Sequence, residues 1–267
     1  MKRAYKKDFR IQDYDNASSM SYIINNKKYK RMKWTLFIFI LACLTIQSCD
    51  EDGFCVNGKG STESEEYQVS NFTGVQMNLA ADVYLMQGSE QQVVIEAQPN
   101  ILDEMDLKVR NGILEIDTRD CIRDHKQIRV FVTLPMLEYL NLAGSGDIVT
   151  ENDFVVEDLD INLDGSGDMD LSIEAEDVNI DIDGSGSIEL FGSGTALDVR
   201  IDGSGDIKAF DFPVDDCSVN VEGSGDSRVY PRDFLNVRID GSGNVYYKGN
   251  PDIDLTINGS GDVINAN

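Results

Sequence analysis

LDGSGDMDL, residues 163–171, has at its centre a Gly-Ser-Gly-Asp that returns along the chain at nearly constant spacing. The triplet GSG begins at Gly144, Gly165, Gly184, Gly203, Gly223, Gly241 and Gly259, at intervals of 21, 19, 19, 20, 18 and 18 residues. Periods of this size belong to solenoids, in which a coil buries its apolar side chains only when a neighbour stacks on it.

The places six, four and two before each first glycine are apolar and those between them polar. The triplets are Leu159/Ile161/Leu163, Val178/Ile180/Ile182, Leu197/Val199/Ile201, Cys217/Val219/Val221, Leu235/Val237/Ile239 and Ile253/Leu255/Ile257. A period of two with one apolar face is a strand with one side in a core. After the turn a second apolar pair follows, as in Met169/Leu171, Ile188/Leu190 and Ile207/Ala209, with Val263 in the last copy. The expected fold is all-β, a single-stranded β-solenoid (parallel β-helix) with coils of about 18–21 residues, each with at least two strands meeting at a bend.

The bend gives glycine a role. A backbone that turns between strands within about three residues calls for positive φ, which glycine adopts without a Cβ clash. Gly144, Gly165, Gly184, Gly203, Gly223, Gly241 and Gly259 are therefore assigned as structural turn residues. Another GSG, at Gly192–Gly194, falls out of register.

Acidic residues flank these bends. Asp164, Asp183, Asp202, Glu222 and Asp240 precede them, and Asp147, Asp168, Asp206, Asp226 and Asp262 follow them, with Ser187 and Asn244 interrupting the second column. Like charges stacked at about 4.8 Å repel unless solvent, arginine or cations screen them. Hard cations prefer oxygen ligands, so weak calcium binding is an expectation for Asp147, Asp164, Asp168, Asp183, Asp202, Asp206, Asp226, Asp240 and Asp262. The competing reading is a solvated face whose aspartates cap tight turns. The pattern partly resembles the calcium-binding repeats of secreted toxins but lacks their GGxGxDx nonapeptide. No other cofactor is expected.

The 267-residue chain carries a formal charge of −25, unevenly spread. Residues 1–48 hold 10 Lys+Arg and 3 Asp+Glu, so the chain from Cys49 onward holds 13 basic and 45 acidic residues, a net of −32. That field repels nucleic acid and anionic membranes and favours cations and basic partners.

Residues 34–46 (WTLFIFILACLTI) form an apolar run of 13, short of the roughly 20 residues a spanning helix needs and of the size of a signal-peptide h-region. With Gln47-Ser48-Cys49 behind it, the run resembles a bacterial lipoprotein signal, which implies lipidation of Cys49. Residues 32–48 are read as that signal, with Met32 as a possible start and residues 1–31 as an upstream extension; the alternative is a short buried helix. Residues 49–65 are read as an acidic tether, and Asp50-Glu51-Asp52 resembles the export signal of Bacteroides-group surface lipoproteins.

From Tyr67 to Leu134 the alternation persists without GSG, and LAADVYL (79–85) looks like a shortened LDGSGDMDL. Residues 66–140 are therefore read as irregular first coils and 141–267 as GSGD coils, since terminal coils of solenoids are atypical. FTGVQMNLAADVYLMQG, NGILEID, VFVTLPMLEYLNLAGSGDI and the GSGD run together resemble the auto-transporter adhesin "head GIN" domain of Bacteroidetes lipoproteins, over about residues 66–267. The resemblance implies a β-solenoid and, by name, adhesion; it carries no catalytic residues.

Cys217 occupies an inward place and reads as a buried thiol. Cys55 and Cys121 lie in polar, irregular stretches (GFCVNG and RDCIRD), and an oxidising envelope permits them to pair. The single histidine, His125, sits in a charged loop without a second histidine, and no zinc spacing, phosphate loop or nucleophile elbow is present. Arg200 and Arg238 share an outward place three before the glycine and read as charge relief. No aromatic platform for sugars stands out, the one tryptophan, Trp34, lying in the signal.

These features point to a non-enzymatic outer-membrane lipoprotein at the cell surface, anchored by its N-terminal lipid and presenting an acidic face to a protein or glycan. A structural envelope component and a polysaccharide-active β-helix enzyme are the alternatives. The expected partners exclude nucleic acid. Because Ile253/Leu255/Ile257 fall in the final copy, end-to-end self-association or edge protection by Asn265-Ala266-Asn267 is also expected.

Overall fold

A computed structural model describes residues 55–267; Cys49, the signal 32–48, the extension 1–31 and Asp50–Asp52 lie outside the described residues. Each coil runs up one sheet, bends at GSG and returns through a second sheet. The first sheet stacks Gly74–Met77, Tyr139–Leu142, Asp158–Leu163, Asp177–Ile182 and Ala196–Ile201 in parallel, and continues through residues 216–221, 234–239 and 252–257. The second stacks Asp82–Gln87, Ile148–Thr150, Met169–Glu174 and Ser187–Ser193, continuing through residues 206–211, 227–229, 245–247 and 263–265. The result is a β-solenoid of about 7 turns.

Register explains why the period holds. Leu159 pairs with Val178, Ile161 with Ile180 and Leu163 with Ile182, and the same columns run on through Leu197/Val199/Ile201 and Cys217/Val219/Val221. A slip of one residue would turn every one of these side chains to water. All are buried, as are Met169/Leu171, Ile188/Leu190 and Ile207/Ala209 from the second sheet. Burial of one such side chain is worth about 1.5–3 kcal/mol, which is the force that keeps coil on coil. In the strand Asp252–Ile257 the equivalent Ile253, Leu255 and Ile257 are exposed at 38, 49 and 39%.

The region before Tyr139 differs from a run of coils. LAADVYL does occupy a coil, because Asp82–Gln87 lies under Ile148–Thr150 and Leu79 and Ala81 lie under Gly144 and Gly146. Beneath it Ile113–Thr118 and Arg129–Leu134 still stack in parallel on Gly74–Met77 and Asp82–Gln87, and beyond them the pairing turns antiparallel: Gln92–Ala97 with Arg129–Leu134, Glu63–Glu66 with Gln92–Ala97, and Met105–Arg110 with Ile113–Thr118. The last pair is a hairpin turned at Asn111 (φ 52°) and Gly112 (φ 81°), the two positive-φ places a tight hairpin demands. Part of the stretch read as tether is also structured. Val56–Asn57 pairs with Ile122–Arg123, and Cys55 and Cys121 are joined by a disulfide.

One expectation is corrected. The bend glycines are not at positive φ; the positive-φ glycines are Gly60, Gly112, Gly192 and Gly249. What excludes a side chain at the bend is the coil beneath. A Cβ on Gly203 would collide with the Gly184 carbonyl oxygen, and one on Gly223 with that of Gly203. The coils approach this closely because Ser204 N–H donates to the Gly184 carbonyl at 3.0 Å, and Ser224 N–H to Gly203 at 3.0 Å. The out-of-register Gly192 lies inside the strand Ser187–Ser193 with φ 115°.

Candidate functional site

The GSG bends share a pattern of hydrogen bonds, and where an aspartate follows the bend it serves the next coil. Asp147 Oδ1 accepts Asp168 N–H at 3.1 Å, Asp168 accepts Ser187 N–H at 2.7 Å, Asp206 accepts Asp226 N–H at 2.7 Å and Asp226 accepts Asn244 N–H at 2.8 Å. Asn244 Oδ1 continues the ladder to Asp262 N–H at 3.0 Å. A backbone N–H given to a charged acceptor is worth about 1.5–3 kcal/mol. Repulsion between carboxylates one coil apart is about 1 kcal/mol in water. The hydrogen bonds win, and the neutral Ser187 and Asn244 keep the charged runs short.

The column before the bend, Asp164, Asp183, Asp202, Glu222 and Asp240, is exposed. Asn141 Nδ2 donates to Asp164 at 2.7 Å. Arg200 reaches Asp202 at 2.8 Å and Glu222 at 3.5 Å, and Arg238 reaches Asp240 at 2.6 Å, so both arginines relieve the column's charge. Hydrogen bonds from Asn258 and then Arg238 hold the Asp240 carboxyl below its ordinary range. Among the described residues no three His, Cys, Asp or Glu side chains are arranged to hold a metal ion. The residues expected to bind calcium are thus spread along two columns rather than gathered.

The opposite bend varies from coil to coil. From the first glycine to the next apolar triplet there are 15 residues after Gly144, then 13, 13, 14, 12 and 12. The two 13-residue returns lie between longer ones, and a groove of about 810 Å³ opens over them. Its lining includes Glu138, Glu157, Asp158, Asp160, Glu174, Glu176 and Asp215, seven carboxylates, against one guanidinium, Arg232, which pairs with Asp215 at 3.1 Å. Met136 and Val155, at the same groove, are 51 and 61% exposed.

A second surface was not legible as a run in the sequence. On the outward face of the second sheet, the places five after the first glycine stack Asp170, Glu189, Lys208, Arg228 and Tyr246. The places seven after it read Ser172, Phe191, Phe210, Tyr230 and Lys248, but bulges break their register, Phe191 lying opposite Asp211 and Tyr230 opposite Pro213, so these rings form a staggered group rather than a column. Arg228 lies over the Tyr246 ring, 5.2 Å from its centroid, and Lys248 over Phe210 at 4.5 Å. Aligning the copies at those two offsets is the signal that would have found the aromatic strip. Beside it, Asp147, Asp168, Asp170, Ser187, Glu189 and Lys208 line a notch of about 260 Å³.

His125, Cys217 and Tyr67 have structural roles. His125 donates from Nδ1 to the Lys126 carbonyl at 2.7 Å. Burial, with Asp198 nearby, pushes the Cys217 thiol far up, leaving it an inert core residue. Burial, then Glu65 and Asp103, push the Tyr67 hydroxyl up to about 12 while it donates to the Leu102 carbonyl at 3.1 Å.

Comparison with known proteins matches residues 71–251 to the family described as putative auto-transporter adhesin, head GIN domain. A protein from Bacteroides fragilis NCTC 9343 described as a putative adhesin is similar in structure, with TM-score 0.73 and 22% identity over 79% of this chain and 99% of that one. A Parabacteroides distasonis ATCC 8503 protein described as a putative lipid binding protein has TM-score 0.68 at 24% identity, with the same coverage. A putative adhesin from the same strain has TM-score 0.63 at 25% identity, again over 79 and 99%. None of the curated proteins matches the chain.

Proposed function

This chain belongs to the auto-transporter adhesin head GIN domain family, and from that premise we propose that it is a non-enzymatic binding protein, anchored in the outer membrane by lipid on Cys49 and displayed at the cell surface. The family itself gives an adhesin-like role and an exported or surface-exposed place. The lipid anchor, the membrane face and an acidic surface that takes a protein or glycan are the steps added here.

The observation that carries the reading is the groove at the variable bend, where seven carboxylates and one guanidinium surround exposed Met136 and Val155. A concave surface with both charge and apolar area suits association, since charge steers encounter and apolar contact holds the complex. The Cys55–Cys121 disulfide agrees with an oxidising, extracytoplasmic compartment.

The test is display on cells. Protease added to intact bacteria is expected to digest the protein, a Cys49→Ala variant to leave the membrane fraction, and expressing cells to adhere to a mucin coat more than cells without the gene. Protection from protease together with equal adherence would overturn the surface reading in favour of a structural envelope component.

A further inference from the structure

We propose that the aromatic strip on the second sheet, with the notch beside it, binds a neutral glycan, a chain of uncharged sugar rings lying along the solenoid axis. The inference rests on the adhesin-like reading and adds to it a ligand class and a second binding surface, apart from the groove.

The strip concentrates what the rest of the repeat lacks. Residues 141–267 hold 28 Asp+Glu and 6 Lys+Arg, yet three of those six, Lys208, Arg228 and Lys248, stand on this face among Phe191, Phe210, Tyr230 and Tyr246. Among the described residues Lys208 and Lys248 enter no ion pair, and Arg228 reaches Asp226 only at 3.9 Å. Arg228 and Lys248 instead lie over rings, which fixes those rings before any ligand arrives and lowers the ordering cost of binding. Phe191 remains 39% exposed.

Charge then selects the ligand class. The notch carboxylates Asp147, Asp168, Asp170 and Glu189 repel an anion, whether a uronate, a phosphate or an anionic lipid headgroup. The three cations on the strip oppose a cationic chain. A neutral sugar meets both demands, because its hydroxyls donate to the carboxylates and accept from Lys208 while its C–H faces cover Phe191 and Tyr230, the rings over which no cation lies. Neighbouring strands lie about 4.8 Å apart, so a ligand along the axis meets a fresh side chain of the column from Asp170 to Tyr246 at each coil, with the staggered rings beside it.

The test is native affinity electrophoresis of the full-length chain in gels containing galactomannan, mixed-linkage β-glucan or starch, with polygalacturonate gels and phosphatidylglycerol vesicle flotation as comparators. At least one neutral polysaccharide is expected to retard the protein. The Phe191→Ala/Tyr230→Ala variant should bind about tenfold more weakly or worse, whereas Glu90→Gln, on an exposed loop that belongs neither to the strip nor to the groove, should bind as the parent does. Circular dichroism checks the fold of each, and Tyr230→Ala serves if the double variant does not fold. Retardation by none of the neutral polymers, undiminished binding by the strip variants, or binding confined to polygalacturonate or vesicles would overturn the proposal. Cells displaying the strip variant separate the two readings. Adherence retained by that variant sinks the glycan strip alone, and no adherence by the parent sinks the adhesin-like reading.

Discussion

The two bends of each coil are built by opposite rules. At the GSG bend six successive coils repeat one arrangement, serine N–H to the glycine carbonyl below, and in four of the bends an aspartate accepts the N–H above. At the other bend the return length changes, and the surface there carries a groove. The difference teaches where stacking is enforced and where it is relaxed. A solenoid needs one strict seam to hold register, and once register is held the other side is free to vary. The groove, with exposed Met136 and Val155, lies on the relaxed side.

The largest expected effect comes from placing a methyl in the strict seam. Gly203→Ala and Gly223→Ala should each cost about 2 kcal/mol or more, because the carbonyl below is hydrogen-bonded and has nowhere to move. Thr195→Ala, on the exposed variable bend, should change stability by less than about 0.5 kcal/mol. Thermal melting reads both. Gly203→Asn sharpens the point, since asparagine relieves a positive-φ problem but not a collision; recovery with asparagine would return the bend to the turn-conformation account.

Next comes the aspartate ladder. Asp226→Ala leaves the Asn244 N–H without its acceptor and should cost about 1–3 kcal/mol, while Asp226→Asn keeps an acceptor oxygen and should recover most of that. Equal loss in both variants would mean that the charge matters and the hydrogen bond does not.

Most of the solenoid was legible in the sequence because strand period and coil period agree: the columns from Leu159 to Ile239 are buried where alternation puts them. The hairpin at Asn111-Gly112 and the antiparallel pairs before Tyr139 were less so, because alternation does not tell which strand pairs with which. The reason for glycine was misread for a related cause. A missing Cβ is equally consistent with a special φ and with a close neighbour, and the neighbour at Gly203 is 19 residues away in sequence. The aromatic strip was hidden because Phe191, Phe210, Tyr230 and Tyr246 come one or two to a coil and become a surface only after stacking.

A smaller, signed effect separates two aspartates. Asp240, at the strict bend, has its folded pKa lowered by Asn258 and Arg238, so its contribution is present above the ordinary carboxylate value and is lost as pH falls through the folded pKa. Asp198, in the strand leaving the variable bend, has its pKa raised by burial and then by Asp181, so its ionisation opposes folding above the raised value and the penalty disappears as pH falls through it. Asp240→Asn should therefore lower the melting temperature at neutral pH and Asp198→Asn should raise it, with both differences shrinking toward strongly acidic pH. Matching signs for the two variants would break the contrast.

The smallest expected effect is that of calcium. Calcium takes six to eight oxygen ligands, and stacked carboxylates beside glycine carbonyls suggest such a site in the sequence. The stacking itself uses up the donors. The carbonyls of Gly144, Gly165, Gly184, Gly203, Gly223 and Gly241 each accept a serine N–H from the next coil, and one oxygen of Asp147, Asp168, Asp206 and Asp226 accepts another backbone N–H. What is left to a cation at each coil is one outer carboxylate oxygen after the bend, the exposed carboxylate before it and water, and the neutral Ser187 and Asn244 divide the column. Screening of the acidic face is all that remains, and any divalent ion supplies it. Calcium should raise the melting temperature by no more than magnesium does at equal ionic strength. A calcium-specific rise at millimolar concentration would show that the strict seam binds ions as well as holding register.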